Sequence, residues 1–111
     1  MRGAISLDRL RTLAADRFGD LVKAVVDVER RIMAVSGELH SDEEAALLED
    51  GSRQTDLWGI NLYPADYGAD AWIEYDSMIN VRPSQGNRSR SVENPSTREQ
   101  IVATVKGIVQ E

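Results

Sequence analysis

The sequence predicts an α+β domain: a mainly antiparallel four-stranded sheet with helices packed on it, in the order α-β-β-α-β-β-α. Apolar residues recur at helical spacing near both ends of the chain, and the segments between them alternate with a period of two. The strand-like runs come in two adjacent pairs, which suits hairpins. Serine, asparagine, proline and glycine stand where helix starts and stops call for them. With 111 residues, no internal repeat and no low-complexity linker, one domain spanning 1–111 is expected.

The first helix opens at Ser6, a good N-cap, and carries Leu7, Leu10, Leu13, Ala14 and Phe18. Ile5 and Leu10 occupy the two positions of a hydrophobic staple, and Gly19 suits the stop. In "LVKAVVDVE", Val22, Ala24, Val26 and Val28 alternate with Lys23, Val25, Asp27 and Glu29, as in a half-buried strand. "IMAVSGEL" follows as its antiparallel neighbour, although "ER" makes a poor primed turn. Gly37 marks a bulge or the strand's end. In "HSDEEAALLEDG", Ser41 and Glu44 form the pattern of a capping box, with Asp42 and Glu43 at the positive end of a short surface helix and Gly51 at its stop.

"LWGINLYP" and "WIEYDSMINV" read as the second strand pair, joined by the loop "PADYGAD". Trp58, Ile60 and Leu62 share one face of the first. Ile73, Tyr75, Ile79 and Val81 share one face of the second, with Ser77 the polar exception. Asp76 and Asn80, an even number of residues apart, are expected on the other face with Trp72 and Met78. The last helix, "STREQIVATVKGIVQ", is amphipathic. Either Asn94 caps it with Pro95 at the first helical position, or Ser96 and Glu99 form a second capping box. The first and last helices are expected to cover the apolar face of the sheet.

Composition narrows the function classes. The chain is 41% hydrophobic and 29% charged, as in an ordinary globular protein. With no cysteine there is no disulfide framework, thiolate metal site or cysteine nucleophile. Nothing approaches a membrane-spanning apolar run, and "MRGAISLDRL" lacks the core of a secretory signal, so a cytoplasmic protein without membrane contact is expected. A net charge of -6 argues against broad nucleic-acid binding. There is no P-loop, GxGxxG, GxSxG or HExxH. His40 is the sole histidine; beside a helix start, its ordinary role is a hydrogen bond that fixes the turn. Carboxylates at Glu38, Asp42, Glu43 or Asp76 match no metal-binding loop, and the helix start accounts for the acidic cluster; no metal is assigned. Trp58 and Trp72 either stack a ring or, more commonly in a small domain, fill the core.

The chemistry-bearing stretch is "NVRPSQGNRSRSVENPSTREQ". Arg82, Arg88 and Arg90 bring guanidinium forks suited to phosphate or carboxylate. Gln85, Asn87, Ser84 and Ser89 add neutral donors, and Gly86 lets backbone amides converge. With Asp76 and Asn80 at the mouth, Arg82, Gln85, Asn87, Arg88 and Arg90 form the expected binding set for an anionic small molecule such as a phosphate-bearing metabolite or nucleotide. No cofactor and no catalytic residue is assigned. The rival expectation is a non-catalytic interaction or homo-oligomerising module, its arginines meeting acidic residues of a second chain. A third is an enzyme with Asp76 or His40 as general base, which predicts a perturbed titration.

"GELHSDEEAALLEDGS", "LWGINLYP" and "IEYDSMINVRPSQGNRSRSVENP" resemble a small prokaryotic family catalogued only as a domain of unknown function, with INxRPxxGNRS as its most specific run. The likeness extends from about Phe18 to near the C-terminus. The chain departs from the family pattern at Ser91, where glycine is common, and at Asn94, where aspartate is. The resemblance implies no particular activity, substrate or site residue.

Overall fold

The computed structural model describes residues 4–111. Its main sheet has the strand order β3-β2-β4-β5, antiparallel throughout, built from β2 (Val22–Asp27), β3 (Ile32–Val35), β4 (Leu57–Leu62) and β5 (Ile73–Glu74). Three helices surround it: α1 (Leu7–Arg17), α2 (His40–Glu49) and α3 (Pro95–Ile108). The α+β class and the element order agree with expectation. A further pair lies outside it: β1 (Ile5–Ser6) runs parallel to β6 (Val109–Gln110), joining the two ends of the described chain.

Local chemistry explains most boundaries. Ser6 Oγ accepts from the Arg9 amide at 3.0 Å and starts α1. Asn94 Oδ1 accepts from the Ser96 amide at 2.8 Å with Pro95 at the first helical position, so α3 uses the asparagine cap. The β2–β3 connection needs no glycine. Asp27 Oδ1 accepts from the amides of Glu29 and Arg30, and Arg31 adopts the left-handed backbone with φ 57°.

The sheet is covered on both faces. Val22, Ala24, Val26, Trp58, Ile60 and Leu62 pack under α1 and α3 through Leu10, Leu13, Ile101 and Val105. On the other face Val25, Ala34 and Leu57 pack against Leu47 of α2. This second helix is therefore a core element, where its polar sequence suggested a surface one.

Three expectations are corrected. The capping box at Ser41 and Glu44 does not form. Leu39 is the N-cap, with no side-chain hydrogen bond, and Ser41 already lies inside the helix. The strand in "IMAVSGEL" stops at Val35, because Ser36 turns into the left-handed region with φ 77°. Gly37 then lies so close to α2 that a Cβ there would sit 2.6 Å from Glu43 Cγ.

The largest correction concerns "WIEYDSMINV". Only Ile73 and Glu74 are strand, and Met78–Asn80 is a short 3-10 turn capped by Ser77 Oγ. Asn80 is wholly buried while Met78 is 66% exposed, so the two do not share a face. Gly59 permits this departure. A Cβ there would meet Ser77 Oγ at 2.5 Å, so the chain after β5 occupies the space a side chain would take.

Candidate functional site

The loop that follows folds around two asparagines. Asn80 replaces the missing strand partner of Gly59, donating to its carbonyl at 2.9 Å and accepting from its amide at 2.8 Å. The same Nδ2 donates to the Arg90 carbonyl at 3.0 Å. Asn87 Nδ2 donates to the carbonyls of Asn80 and Ser91, both at 2.7 Å, and its Oδ1 accepts from the Glu93 amide at 2.9 Å. Glu93 in turn accepts from the amides of Arg88 and Ser89. The Ser89 hydroxyl and these amides hold its carboxyl below the usual range.

Arg82 is turned inward. It donates to the carbonyls of Ile79, Gln54 and Leu57 and to Gln85 Oε1, and its guanidinium lies 4.3 Å from the Trp58 ring centroid. Gln85 reaches the Thr55 carbonyl at 3.3 Å. The expected binding set thus has three destinations. Asn80 and Asn87 brace the loop, while Arg82 and Gln85 tie it to the segment before β4. Arg88 is exposed, and Asp76 and Arg90 pair with each other, Nε to Oδ1 at 2.7 Å. The brace delivers that pair, since the Arg90 carbonyl accepts from the Ser77 amide at 3.0 Å as well as from Asn80.

The Asp76–Arg90 pair borders a polar end of the sheet. Strand register places Lys23 of β2 opposite Asn61 of β4, and Asn61 opposite Glu74 of β5. The three make a row across three strands on the face that α2 covers. Asn61 Nδ2 donates to Glu74 Oε1 at 2.8 Å and to the Asp76 carbonyl at 3.4 Å, and the Tyr63 hydroxyl donates to the same Glu74 oxygen at 3.1 Å.

His40, the first residue of α2, is buried over this row with Nε2 2.7 Å from the Ile60 carbonyl. A carbonyl only accepts, so Nε2 carries the hydrogen and Nδ1 keeps a lone pair. Burial lowers the His40 pKa below 6.5, with Lys23 and Arg90 adding to that and the Ile60 hydrogen bond and Asp76 opposing it. One turn on, Glu43 Oε2 accepts from the Gly37 amide at 3.0 Å, and burial pushes its carboxyl up to about 9. At neutral pH the histidine is a free base and the glutamate an intact acid. Glu43 Oε1 and Asn61 Oδ1 are buried there without a hydrogen-bond partner among the described residues.

Asp76 and Arg90 belong to the sequence-predicted set; Lys23, His40, Glu43, Asn61 and Glu74 do not. His40 was legible as a residue that fixes a turn or, in the third reading, as a general base, and its bond to Ile60 fits the turn role too. The alternation of β2 and β4 did signal that Lys23 and Asn61 leave the apolar face. The three stretches that carry the family resemblance meet at this point. The first gives His40 and Glu43, the second Asn61 and Tyr63, and the third Glu74, Asp76 and Arg90. Among the described residues, no group of three or more His, Asp or Glu side chains is arranged to hold a metal ion. No helix among them is long and apolar enough to cross a membrane.

Fold and site together define a small α+β protein with a buried acid and a buried base one helical turn apart. The chain belongs to the DUF5674 family, described as a protein of unknown function, whose model matches residues 1–108. No curated protein and no solved structure matches it.

Proposed function

We propose that the protein holds a small anionic ligand, of the phosphate- or carboxylate-bearing kind, beside Lys23 and Arg90 and exchanges a proton with it through His40. The observation that carries this is the neutral, buried His40, its Nε2 fixed on Ile60 and its Nδ1 available as a base. Lys23 and Arg90 supply positive charge beside it. The 82–90 loop contributes by holding Arg90 in place and by presenting the exposed Arg88. Glu43, neutral at physiological pH, is the complementary acid.

A thermal-shift panel of phosphorylated and carboxylated metabolites tests this on wild type, Lys23→Ala, Arg90→Ala and His40→Gln. A hit should weaken in the first two variants. It should still bind His40→Gln, while its turnover falls by about 10²–10⁴-fold. A panel without hits, or one in which every hit binds Lys23→Ala and Arg90→Ala as well as wild type, overturns the proposal.

A second reading, a non-catalytic module that pairs with another chain, draws on the exposed apolar side chains of Met78 and Leu39, 66% and 54% accessible. Light scattering across ionic strength tests it. A strictly monomeric protein at every salt concentration eliminates it.

A further inference from the structure

Glu74 faces the row beneath α2, while its neighbours Ile73 and Tyr75 pack toward the α1–α3 side. On that side lies a groove of about 490 Å³, without His40 in its lining and bounded by Asp70, Trp72, Tyr75, Arg98, Val102 and Lys106 among others. Its size is that of a small-molecule site. One wall is aromatic. Trp72 is half-buried and fixed edge-to-face against Tyr67, with ring centroids 4.9 Å apart and planes at 71°. The other wall is a stripe of α3. Arg98, Val102 and Lys106 recur every four residues, so a cation, an apolar side chain and a second cation face the same way over ~12 Å of helix axis.

Arg98 is already aimed. Its Nε donates to the Val92 carbonyl at 2.6 Å and its Nη2 to Ser91 Oγ at 2.8 Å, with the guanidinium 4.3 Å from the Tyr75 ring centroid. Those contacts leave Nη1 without a hydrogen bond among the described residues. Lys106 forms no ion pair there either, although the protein as a whole is acidic. Two cations against the single carboxylate of Asp70 leave an excess of one positive charge, which suits a single phosphate better than a polyphosphate. Asp70 itself accepts hydrogen bonds, as a sugar hydroxyl or a ring amino group would offer.

We infer that this groove binds a planar ring carrying one phosphate, the chemistry of a mononucleotide, with the ring against Trp72 and the phosphate on Arg98 and Lys106. Ring stacking and the charge-assisted phosphate contacts contribute separately. The ligand should therefore bind more tightly than either half alone. None of these residues belongs to the proton-exchange site, so the two proposals stand or fall apart.

Isothermal titration with adenosine monophosphate, adenosine and inorganic phosphate provides the test. The monophosphate should bind saturably and at least about tenfold more tightly than either adenosine or phosphate. Lys106→Gln should weaken the monophosphate by about tenfold and leave adenosine unchanged. Trp72→Leu should weaken both adenosine monophosphate and adenosine and leave phosphate unchanged, while His40→Gln should alter none of the three. Lys106 is exposed, so that variant keeps the fold and carries the test should Trp72→Leu fail to fold. Absence of saturable monophosphate binding overturns the inference. So does a monophosphate no tighter than inorganic phosphate, or one that binds Lys106→Gln as well as wild type.

Discussion

The 80–93 loop and the His40 end of the sheet are both dense in polar side chains, yet they are built on opposite terms. In the loop, Asn80 and Asn87 are buried and each spends both ends of its carboxamide on backbone groups. At the other end, Glu43 Oε1 and Asn61 Oδ1 are buried with no hydrogen-bond partner among the described residues. The loop's arginines look functional in the sequence, but Arg82 serves as an internal cross-link. The region with unpartnered buried oxygens contains Lys23, His40, Asn61 and Glu74. A satisfied polar network is scaffold, and an unsatisfied one has something left to offer a ligand.

The strongest challenge to this contrast is Asn80→Ala. It strands the Gly59 amide and carbonyl and loses a bond to the Arg90 carbonyl in a fully buried place. A loss of ~3–5 kcal/mol is expected in urea unfolding, at ~1–3 kcal/mol per orphaned group. A cost near that of a surface substitution would show that the loop is not braced as described.

The His40 end is sharpened by pH. Glu43 has its folded pKa raised from 4.5 to about 9. Its contribution is therefore fully present below pH 4.5 and lost as pH rises toward 9, at up to ~1.4 kcal/mol per pH unit. His40 has its folded pKa lowered from 6.5, so stability is lost as pH falls below that value. The two trends oppose each other just below pH 6.5, and above it the loss from Glu43 stands alone. Urea midpoints from pH 5 to 8.5 should fall on the alkaline side in wild type and flatten in Glu43→Gln. A wild-type protein with no alkaline decline would show that Glu43 is ionised at little cost.

The smallest effect is expected from Asp76→Asn. Both side chains of its pair with Arg90 are about half exposed, which places the stability change within about 1 kcal/mol. Because Asp76 raises the His40 pKa, its removal should move the histidine titration downward in a nitrogen-15 NMR experiment. An upward shift would mean that Asp76 does not act on His40 through charge.

Much of the fold was legible because its signals are local. Ser6 and Asn94 cap their own helices, and the alternation of Val22, Ala24 and Val26 names the buried face of β2 directly. "WIEYDSMINV" misled because its alternation is real while its hydrogen-bond partners lie elsewhere. The Asn80 side chain takes the place on Gly59 that a strand would have filled, an outcome that depends on a residue 21 positions away. The same distinction governs the site. Asp76 and Arg90 were visible as charges. The row Lys23–Asn61–Glu74 exists only through strand register, and the burial that lowers the His40 pKa comes from α2 docking on the sheet.

The parallel pairing of Ile5 with Val109 and Ser6 with Gln110 has a consequence for biogenesis. Of these two strands β1 is synthesised first, so it stays unpaired while every element between it and β6 is made. The central hairpin can form during that interval, but the clamp between β1 and β6 closes only once Gln110 has left the ribosome.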